Sequence, residues 1–406
     1  MRHSGRFDAD LVIAGAGGAG LSALWQVLHS SAAHRRIIVI DQELEPGDRR
    51  TWSFWGDDRT PFAHLSDRRW DRLEVRFPGW RRTDPLGTHA GGRRSYMRVR
   101  QRDYDRAVLD LASDRSNVRF LEQSVVGIRD DRDGGVVVLP DGEVRAPVVF
   151  QSMRLAPSDR EAPVRHPLRQ HFAGWEVRTE RPIFEPDVVT LMDFDTDQHD
   201  GIAFFYVLPE APDRALVEHT MFSVRPRSAS FHGDHVARRL DQMGAGQIDV
   251  VRTEHGSIPM EDRPLGQRWG DHVWNLGTVG GMTKPTTGYT FQRIHAQTRH
   301  LVAAWAAGGV PAPLPPSPAR YRFADRTLLN VLHHRPEHGR AIFDRLFRSS
   351  SVDDVLTFLD ERSTLAADAR MLARLPWPPF LRAAASELGR GATTSITRPV
   401  RIAPAS

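Results

Sequence analysis

The chain of 406 residues is long enough to form two lobes, each with its own hydrophobic core. Hydrophobic residues make up 40% of it and charged residues 26%, which is ordinary for a folded soluble protein. The formal net charge is only +4, because 55 basic residues nearly balance 51 acidic ones. Arginine pairs such as 68–69 and 93–94 are interleaved with aspartates. This pattern indicates a solvated surface, so we expect no nucleic-acid partner.

The absence of cysteine excludes disulfides, thiolate nucleophiles and cysteine-ligated metals. No signal peptide follows Met1, and the longest apolar run, residues 301–310, is shorter than the ~20 residues that span a bilayer. We therefore expect a cytoplasmic protein without a transmembrane helix. Although there are 18 histidines, none falls in a ligand-spacing motif, and His333 and His334 lie in a polar helical stretch. The sequence therefore predicts no metal site.

The N-terminal region has the pattern of a strand–helix–strand unit. Residues 9–14 (ADLVIA) and 37–41 (IIVID) are typical of buried strands, and residues 18–30 between them are typical of a helix. Strands that are separated by a helix in this way form a parallel sheet.

A glycine-rich turn, GAGGAG at residues 15–20, joins the first strand to this helix. Gly15 permits the turn, Gly17 lets a pyrophosphate approach the backbone, and Gly20 lets the helix pack closely on the strand. Asp41 ends the second strand about 20 residues later, where a carboxylate can bind ribose hydroxyls. The turn predicts a dinucleotide site but does not distinguish NAD from FAD.

The rest of the chain divides by its periodicity. Residues 51–100 look irregular, residues 101–112 predict a helix, and short strands are expected at 118–120, 125–129, 136–139 and 148–150. The period changes to two between 172 and 258, which indicates an antiparallel sheet. A strand at 272–277 and a helical region from 292 onward follow, with a proline-rich linker at 311–318. We therefore predict an α/β protein with a Rossmann-like, three-layer parallel-sheet domain (1–170 and 260–310), an antiparallel-sheet substrate domain (171–259) and a helical C-terminal region (311–406).

The stretch GTVGGMTKPTTGYTFQRI at 277–294 places a second glycine turn after the late strand and an N-cap-like Thr-Thr-Gly before a helix. In two-domain flavoproteins such a segment covers the flavin, so it favours FAD and offers backbone N–H groups to it. The alternative is an ordinary loop before a helix. The residues that we expect to contact the cofactor here are Gly277, Gly280, Lys284, Thr287 and Gly288. Lys284, the only lysine in the chain, either neutralises the flavin or a phosphate, or is a chance surface substitution.

Seven segments, two of them described above, occur in an order that resembles that of the bacterial lycopene cyclases, which are flavoproteins related to the plant lycopene β- and ε-cyclases. They are TWSFW (51–55), MDFDTDQHDGIAFFYVLP (192–209), RALVEHT (214–220), EHGSIPM (254–260), GGMTKPTTGYTF (280–291), RTLLNVL (326–332) and the N-terminal glycine turn. The resemblance implies cyclisation of the ψ-end of lycopene or a related carotenoid to an ionone ring, with a β ring expected and an ε ring left open. It also implies reduced FAD, with NAD(P)H as the electron donor and no net redox change.

Such a reaction requires a carboxylic acid that stays protonated in an apolar pocket, because an alkene is a very poor base. Glu218 matches the family's essential acid and is our candidate for it; the alternative is an exposed strand glutamate. His219 stands where relatives often carry a second acid, and it either tunes Glu218, removes the ring proton or faces the other side of the strand. Glu254 is a second candidate acid, and its alternative is a salt bridge to an arginine.

Two aromatic clusters are candidates for the substrate pocket, because aromatic faces stabilise a cation without reacting with it. They are Trp52, Phe54 and Trp55 in the first, and Phe204, Phe205 and Tyr206 in the second, of which Phe205 and Tyr206 are the candidates for substrate binding. The alternative for both is an ordinary hydrophobic core.

A lipophilic polyene must leave a bilayer, so we expect peripheral association with the cytoplasmic membrane through Trp377 and Phe380; the alternative is a helical lid. Two other functions remain open for the whole chain. One is a redox flavoenzyme, either a monooxygenase or a polyprenyl reductase. The other is a non-catalytic carotenoid-binding flavoprotein. The sequence does not indicate an oligomeric state.

Overall fold

The computed structural model describes residues 7–89, 92–154, 164–198 and 200–394. The predicted C-terminal region, 311–406, therefore extends beyond the last described residue. In the first half of the chain the elements are β1 (Leu11–Ala14), α1 (Gly18–Leu28), β2 (Ile37–Asp41), β3 (Thr51–Gly56), β4 (Arg68–Trp70), β5 (Arg72–Phe77), β6 (Trp80–Pro85), β7 (Thr88–His89), β8 (Gly92–Arg93), β9 (Ser95–Arg100), α2 (Gln101–Ser113), β10 (Val118–Glu122), β11 (Gly127–Asp131), β12 (Gly134–Leu139), β13 (Gly142–Ala146) and β14 (Val149–Gln151).

In the second half they are β15 (Leu168–Thr179), β16 (Val188–Asp193), β17 (Ile202–Ala211), β18 (Arg214–Ser223), α3 (Ala229–Gln242), β19 (Ile248–Met260), β20 (Val273–Asn275), α4 (Phe291–Ala306), α5 (Ala319–His334), α6 (Gly339–Ser349), α7 (Val352–Leu359), α8 (Leu365–Leu372) and α9 (Trp377–Thr394). Short 3₁₀ turns occupy Ala63–Leu65, Gly277–Gly280 and Pro336–His338.

The predicted dinucleotide unit is a five-stranded parallel sheet in the order β10-β2-β1-β14-β20. One face packs against α1, α2 and α4 in a large hydrophobic core, and the other packs against the antiparallel sheet of β11, β12 and β13. The late strand, β20, pairs with β14 as expected. The strands are apolar because both faces of the sheet are covered. Because the strands are parallel, the C-terminal ends of β1, β2 and β20 lie along one edge of the sheet.

A seven-stranded sheet in the order β19-β15-β18-β17-β16-β5-β6 forms the second lobe. Neighbouring strands are antiparallel, except that β5 and β16 run parallel. Helix α3 covers one face. The opposite face packs against α5, α6, α7 and α8, together with side chains of β3 and β9. The central strands β15–β18 therefore present alternate residues to two different environments, both largely protected from water, whereas the edge strands β19 and β6 are partly exposed.

Two sequence predictions of local structure were wrong. Residues 51–100 are not irregular but contain β3–β9, because their strands alternate apolar residues with arginines that are themselves paired inside the protein. Arg94 and Arg98 are only 4% and 2% exposed and bind acidic partners, so the arginine-rich segments are not simply a solvated surface. Helix α3, within the region expected to be only strands, was not predicted.

Candidate active site

The N-terminal glycine turn has the shape of a phosphate-binding turn. Gly15 has φ +100°, a conformation that favours glycine, and a Cβ at Gly20 would lie 1.7 Å from the Gly15 carbonyl oxygen. At Gly17 a Cβ would meet no protein atom within 4 Å, so its backbone faces open space at the start of α1. Asp41 reaches back to this turn, where its Oδ2 accepts a hydrogen bond of 2.6 Å from the Ala16 N–H.

The second glycine segment crosses directly over the first. Gly277 has φ +62°, and a Cβ there would come within 2.8 Å of the Ala19 Cβ in α1. At Gly280 a Cβ would lie 2.4 Å from the Asn275 carbonyl oxygen. Gly288, with φ +72°, approaches the sheet lobe, since its Cβ would lie 2.6 Å from Gln170 Oε1. These close approaches require glycine and place the segment between the two lobes.

Glu218 lies in the middle of the seven-stranded sheet. Direct pairing across strands gives the row Glu254, Gly174, Glu218, Tyr206, and paired residues point to the same face. Gly174 has no side chain, and a Cβ built there would lie 3.4 Å from Glu218 Oε2. The Glu218 carboxyl group therefore occupies the space that the glycine leaves.

The environment of Glu218 favours the protonated acid. Burial and, secondly, the charge of Glu254 raise the pKa of Glu218 to about 8, whereas the hydrogen bond from the Thr220 hydroxyl, 2.8 Å from Oε1, lowers it. The side chain lies deep in the protein yet keeps part of its surface accessible, so it faces an internal space instead of close-packed atoms. A carboxyl group in such a position is neutral near pH 7 and able to donate a proton.

Three tyrosines surround this internal space. The hydroxyls of Tyr96 and Tyr289 lie 3.2 Å apart, and Tyr289 is also hydrogen-bonded to Tyr206, the cross-strand neighbour of Glu218. Burial raises the pKa of Tyr289 to about 12 and those of Tyr96 and Tyr206 well above their usual range. All three therefore stay protonated and can donate hydrogen bonds without adding charge.

Glu254 differs from Glu218 because it has a cationic partner. Arg252 Nη1 is 3.0 Å from Glu254 Oε2, and the Thr51 hydroxyl donates to the same oxygen at 2.7 Å. Burial raises the pKa of Glu254, whereas Arg252 and Thr51 lower it. Burial is the larger effect, so the pKa of Glu254 stays above its usual range even with Arg252 beside it. Glu254 lies about two strand spacings (~10 Å) from Glu218, and its charge when ionised raises the pKa of Glu218.

His219 and Phe205 point away from this site, as strand alternation requires. They pair with each other across β17 and β18 and lie on the face covered by α3. His219 Nδ1 is 2.9 Å from His232 Nδ1, and its ring stacks on His235 at 4.3 Å. Burial, followed by the neighbouring histidines, lowers the pKa of His219 to about 2. Neither residue reaches the Glu218 pocket, so we no longer consider either as a site residue.

The first aromatic cluster is split by the same alternation. Trp52 and Phe54 belong to the core under the parallel sheet, where both contact Phe291. Trp55 faces the other way and contacts Tyr289, with ring centroids 4.6 Å apart and nearly perpendicular planes. Of the predicted aromatic residues, Tyr206 therefore lies beside Glu218, and Trp55 is connected to it through Tyr289.

Lys284 is neither on the surface nor free to bind a cofactor. Its side chain is 4% exposed, and its Nζ lies 2.9 Å from Asp325 Oδ2 and 3.0 Å from Glu361 Oε1. Both acids belong to the C-terminal region, Asp325 in α5 and Glu361 just after α7. The ammonium group thus connects the glycine-rich segment to the helices, and its charge is already compensated.

A cavity of about 590 Å³ opens beside these residues, between β3, the 56–61 loop, the start of α4 and the residues after α7. Its walls include Phe54, Trp55, Thr287 and Tyr289. Tyr289 lines the cavity and is hydrogen-bonded to Tyr206, so this one side chain connects the cavity wall to the cross-strand neighbour of Glu218. Its volume lies within the range of small-molecule sites.

Several residues of the site were not identified from the sequence. Tyr289 lies in the predicted flavin-covering segment, directly after Gly288, and this position was the available indication. Gly174 carried none, because only the strand pairing brings it between Glu218 and Glu254. Tyr96 comes from a different sheet, whereas Arg252, two residues before Glu254, is the arginine that the salt-bridge alternative allowed.

Known proteins resemble this chain in sequence or in fold. The lycopene beta-cyclase of Paracoccus sp. (strain N81106 / MBIC 01143) is 29% identical over 364 residues, which is 86% of each chain. The lycopene beta-cyclase of Pantoea ananas is 28% identical and covers 69% of this chain and 70% of its own. A flavoprotein/dehydrogenase from Cytophaga hutchinsonii has the same fold, with a TM-score of 0.62 at 12% identity over 94% of this chain and 99% of its own, which confirms the predicted α/β fold. Since the lycopene cyclase protein family matches residues 10–385, nearly the whole sequence, this chain belongs to that family.

Proposed function

We propose that this protein is a carotenoid cyclase that protonates the ψ-end of lycopene or a similar polyene and closes it to a β-ionone ring, with Glu218 as the general acid. The observation that carries the proposal is the state of Glu218: a carboxyl group deep between two lobes whose pKa is raised to about 8. Membership of the lycopene cyclase family supports the same activity.

The chemistry begins when Glu218 donates its proton to the terminal alkene, which leaves a tertiary carbocation on the polyene. An internal double bond attacks this cation and closes the ring, and loss of a ring proton forms the new double bond. One proton enters and one leaves, so the substrate and product have the same mass. The hydroxyls near Glu218, those of Thr220 and Tyr206, stabilise the carboxylate that remains after proton transfer.

Aromatic and hydroxyl-bearing walls suit the cationic intermediate. Trp55, Tyr206 and Tyr289 offer ring faces that attract positive charge, and none of them is nucleophilic when protonated. The helices over this face of the sheet exclude water, which would otherwise convert the cation into an alcohol. Glu254 lies at the edge of this face, and its negative charge when ionised helps to keep Glu218 protonated.

The residues present fit FAD. Gly17 leaves open space for a pyrophosphate at the start of α1, Asp41 is positioned by the turn to face a ribose, and the Gly277–Gly280 segment covers the edge where β1 and β20 end. When bound in its reduced form, FAD supplies electron density that stabilises positive charge. We propose a nicotinamide as the source of its electrons, with none passed to the product.

The C-terminal helices give the lipophilic substrate a route from a bilayer. Leu365, Leu372, Trp377, Leu381 and Leu388 are exposed on α8 and α9, beside exposed arginines at 370, 374 and 382. Apolar side chains flanked by cations suit the surface of an anionic membrane. Phe380 packs inwards against Val331 and Ile342, so the region is both a lid and a docking face. No helix in the described residues is long and apolar enough to cross a membrane.

The test is expression in cells that accumulate lycopene, followed by pigment analysis. A cyclic product of unchanged mass supports the proposal. A product that differs in mass, with stoichiometric consumption of the nicotinamide, would identify the redox flavoenzyme. Bound but unaltered carotenoid would identify the carotenoid-binding protein.

A further inference from the structure

Three histidines meet on the side of the sheet lobe that carries the C-terminal helices. His166 precedes β15 and is fully buried, and His333 and His334 end α5. The Nδ1 atoms of His166 and His333 are 3.4 Å apart, and a ring nitrogen of each of the three lies within 4.8 Å of the others. Because 167 positions separate His166 from His333, no ligand spacing was visible in the sequence.

The separation of these nitrogens suits a tetrahedral metal ion. Zinc binds imidazole nitrogen at about 2.0–2.1 Å, so two nitrogens of one tetrahedron lie roughly 3.3–3.4 Å apart. His166 and His333 already have this separation. A ring nitrogen of the exposed His334 lies within 4.8 Å of the other two, so movement of this side chain would bring a third ligand to the ion.

The other nitrogen of His166 has the partner expected behind a metal ligand. Its Nε2 lies 3.1 Å from Glu387 Oε1, and the Asn330 amide donates to the same oxygen at 2.9 Å. Glu387 is itself 6% exposed and held in α9. A carboxylate that accepts the Nε2–H leaves the Nδ1 lone pair of His166 directed at His333, which is the tautomer that a metal requires. Asp262 lies with Glu387 on His166, since one ligand atom of each of the three lies within 4.8 Å of the others, and it adds negative charge that suits a divalent cation.

We propose that His166, His333 and His334 form a zinc site that fastens the start of β15 to helices α5 and α9. It is a structural site, distinct from the Glu218 pocket. Its ligands join the sheet lobe to the C-terminal helices, and Glu387 couples the ion to α9, which carries part of the exposed apolar surface.

The test uses the full chain purified without a histidine tag. We expect about one zinc per chain by elemental analysis, removal by a chelator, restoration by added Zn²⁺ with a rise in Tm, and a tetrahedral absorption spectrum with Co²⁺. The double variant His333→Ala/His334→Ala changes only the end of α5 and should lose the stoichiometric metal. Glu387→Gln should bind zinc about 10–100-fold more weakly. His338→Ala, an exposed histidine four residues beyond His334, is the matched control and should bind normally.

If wild type and the double variant bind Zn²⁺ equally weakly, with no change in Tm, the three imidazoles only hydrogen-bond to one another and the proposal is wrong. Flavin content and ring formation are measured on the same samples. Failure of the zinc site leaves these unchanged, so it is distinguishable from failure of the proposed function.

Discussion

Replacing Glu218 by glutamine removes the proton from the proposed acid while keeping its shape. With its ordinary pKa of 4.5 this group would be only ~0.3% protonated at pH 7, whereas with a pKa of about 8 it is ~90% protonated. The pocket therefore increases the available acid about 300-fold. General acid catalysis contributes ~10²–10⁴-fold, and an alkene is so weak a base that we expect Glu218→Gln to lose at least ~10³-fold in kcat. Glu218→Asp keeps the acid but withdraws it by one methylene, so it should retain weak activity.

The pH profile gives a second measure of the same group. Because the acid must be protonated, kcat/KM should be level below about pH 7 and fall tenfold per pH unit above about pH 8. Glu254→Gln removes the carboxylate charge that raises the pKa of Glu218, while Arg252 keeps its salt bridge to Glu176, so the pKa of Glu218 should fall. The alkaline limb should then move to lower pH, with a smaller loss of activity than in Glu218→Gln.

The assay is ring formation from lycopene in detergent or membranes, with flavin occupancy measured for every variant. His219→Ala is the matched control, since it changes the neighbouring residue on the opposite face and should reduce activity much less. If flavin-loaded Glu218→Gln cyclises lycopene at nearly the wild-type rate, Glu218 is not the acid, and Glu254 is the next carboxyl group to test.

Four further changes test other parts of the structure. Gly17→Arg fills the open space at the start of α1 and should abolish flavin absorbance in the purified protein; full retention of FAD would refute the dinucleotide site. Gly174→Val places methyl groups where the Glu218 carboxyl group lies, so cyclisation should fall by at least ~10²-fold with flavin retained, and normal activity would show that this space is not used. Leu381→Glu puts charge on the exposed apolar face and should weaken co-sedimentation with anionic liposomes without loss of FAD; unchanged binding would locate docking elsewhere. Lys284→Met leaves the buried Asp325 carboxylate without its cationic partner, although Glu361 keeps Arg293, and should lower stability by about 3–5 kcal/mol in chemical denaturation; an unchanged midpoint would mean that the Lys284–Asp325 ion pair contributes nothing.

Local sequence patterns were sufficient for the dinucleotide half of the fold. The apolar runs of β1 and β2, with glycines at fixed spacing between them, specify a strand, a turn and a helix without long-range information. Gly15 and Gly20 illustrate why: the positive φ of the first and the contact of the second with it are properties of six consecutive residues.

The candidate site depended on strand pairing that the sequence does not display. Alternation correctly separated Glu218 from His219, but it could not reveal that Gly174 lies between Glu218 and Glu254. Likewise, the arginines of β9 resembled surface residues, because their acidic partners come from distant segments. Lys284 stood out by composition, yet its role became clear only when Asp325 and Glu361 were brought to it from the C-terminal helices.

Because Glu218 and His219 lie on opposite faces of β18, the protein should be sensitive to insertions and deletions in this strand. Only Pro212 and Asp213 separate β17 from β18, so this tight hairpin sets which residues face each way. Deletion of one residue from β18 before position 218 would turn the acid towards the histidines under α3 and bring a neutral imidazole to the substrate side. Every side chain would still be present, and the composition would be almost unchanged. Homologous strands should therefore tolerate many substitutions here but almost no single-residue insertions or deletions.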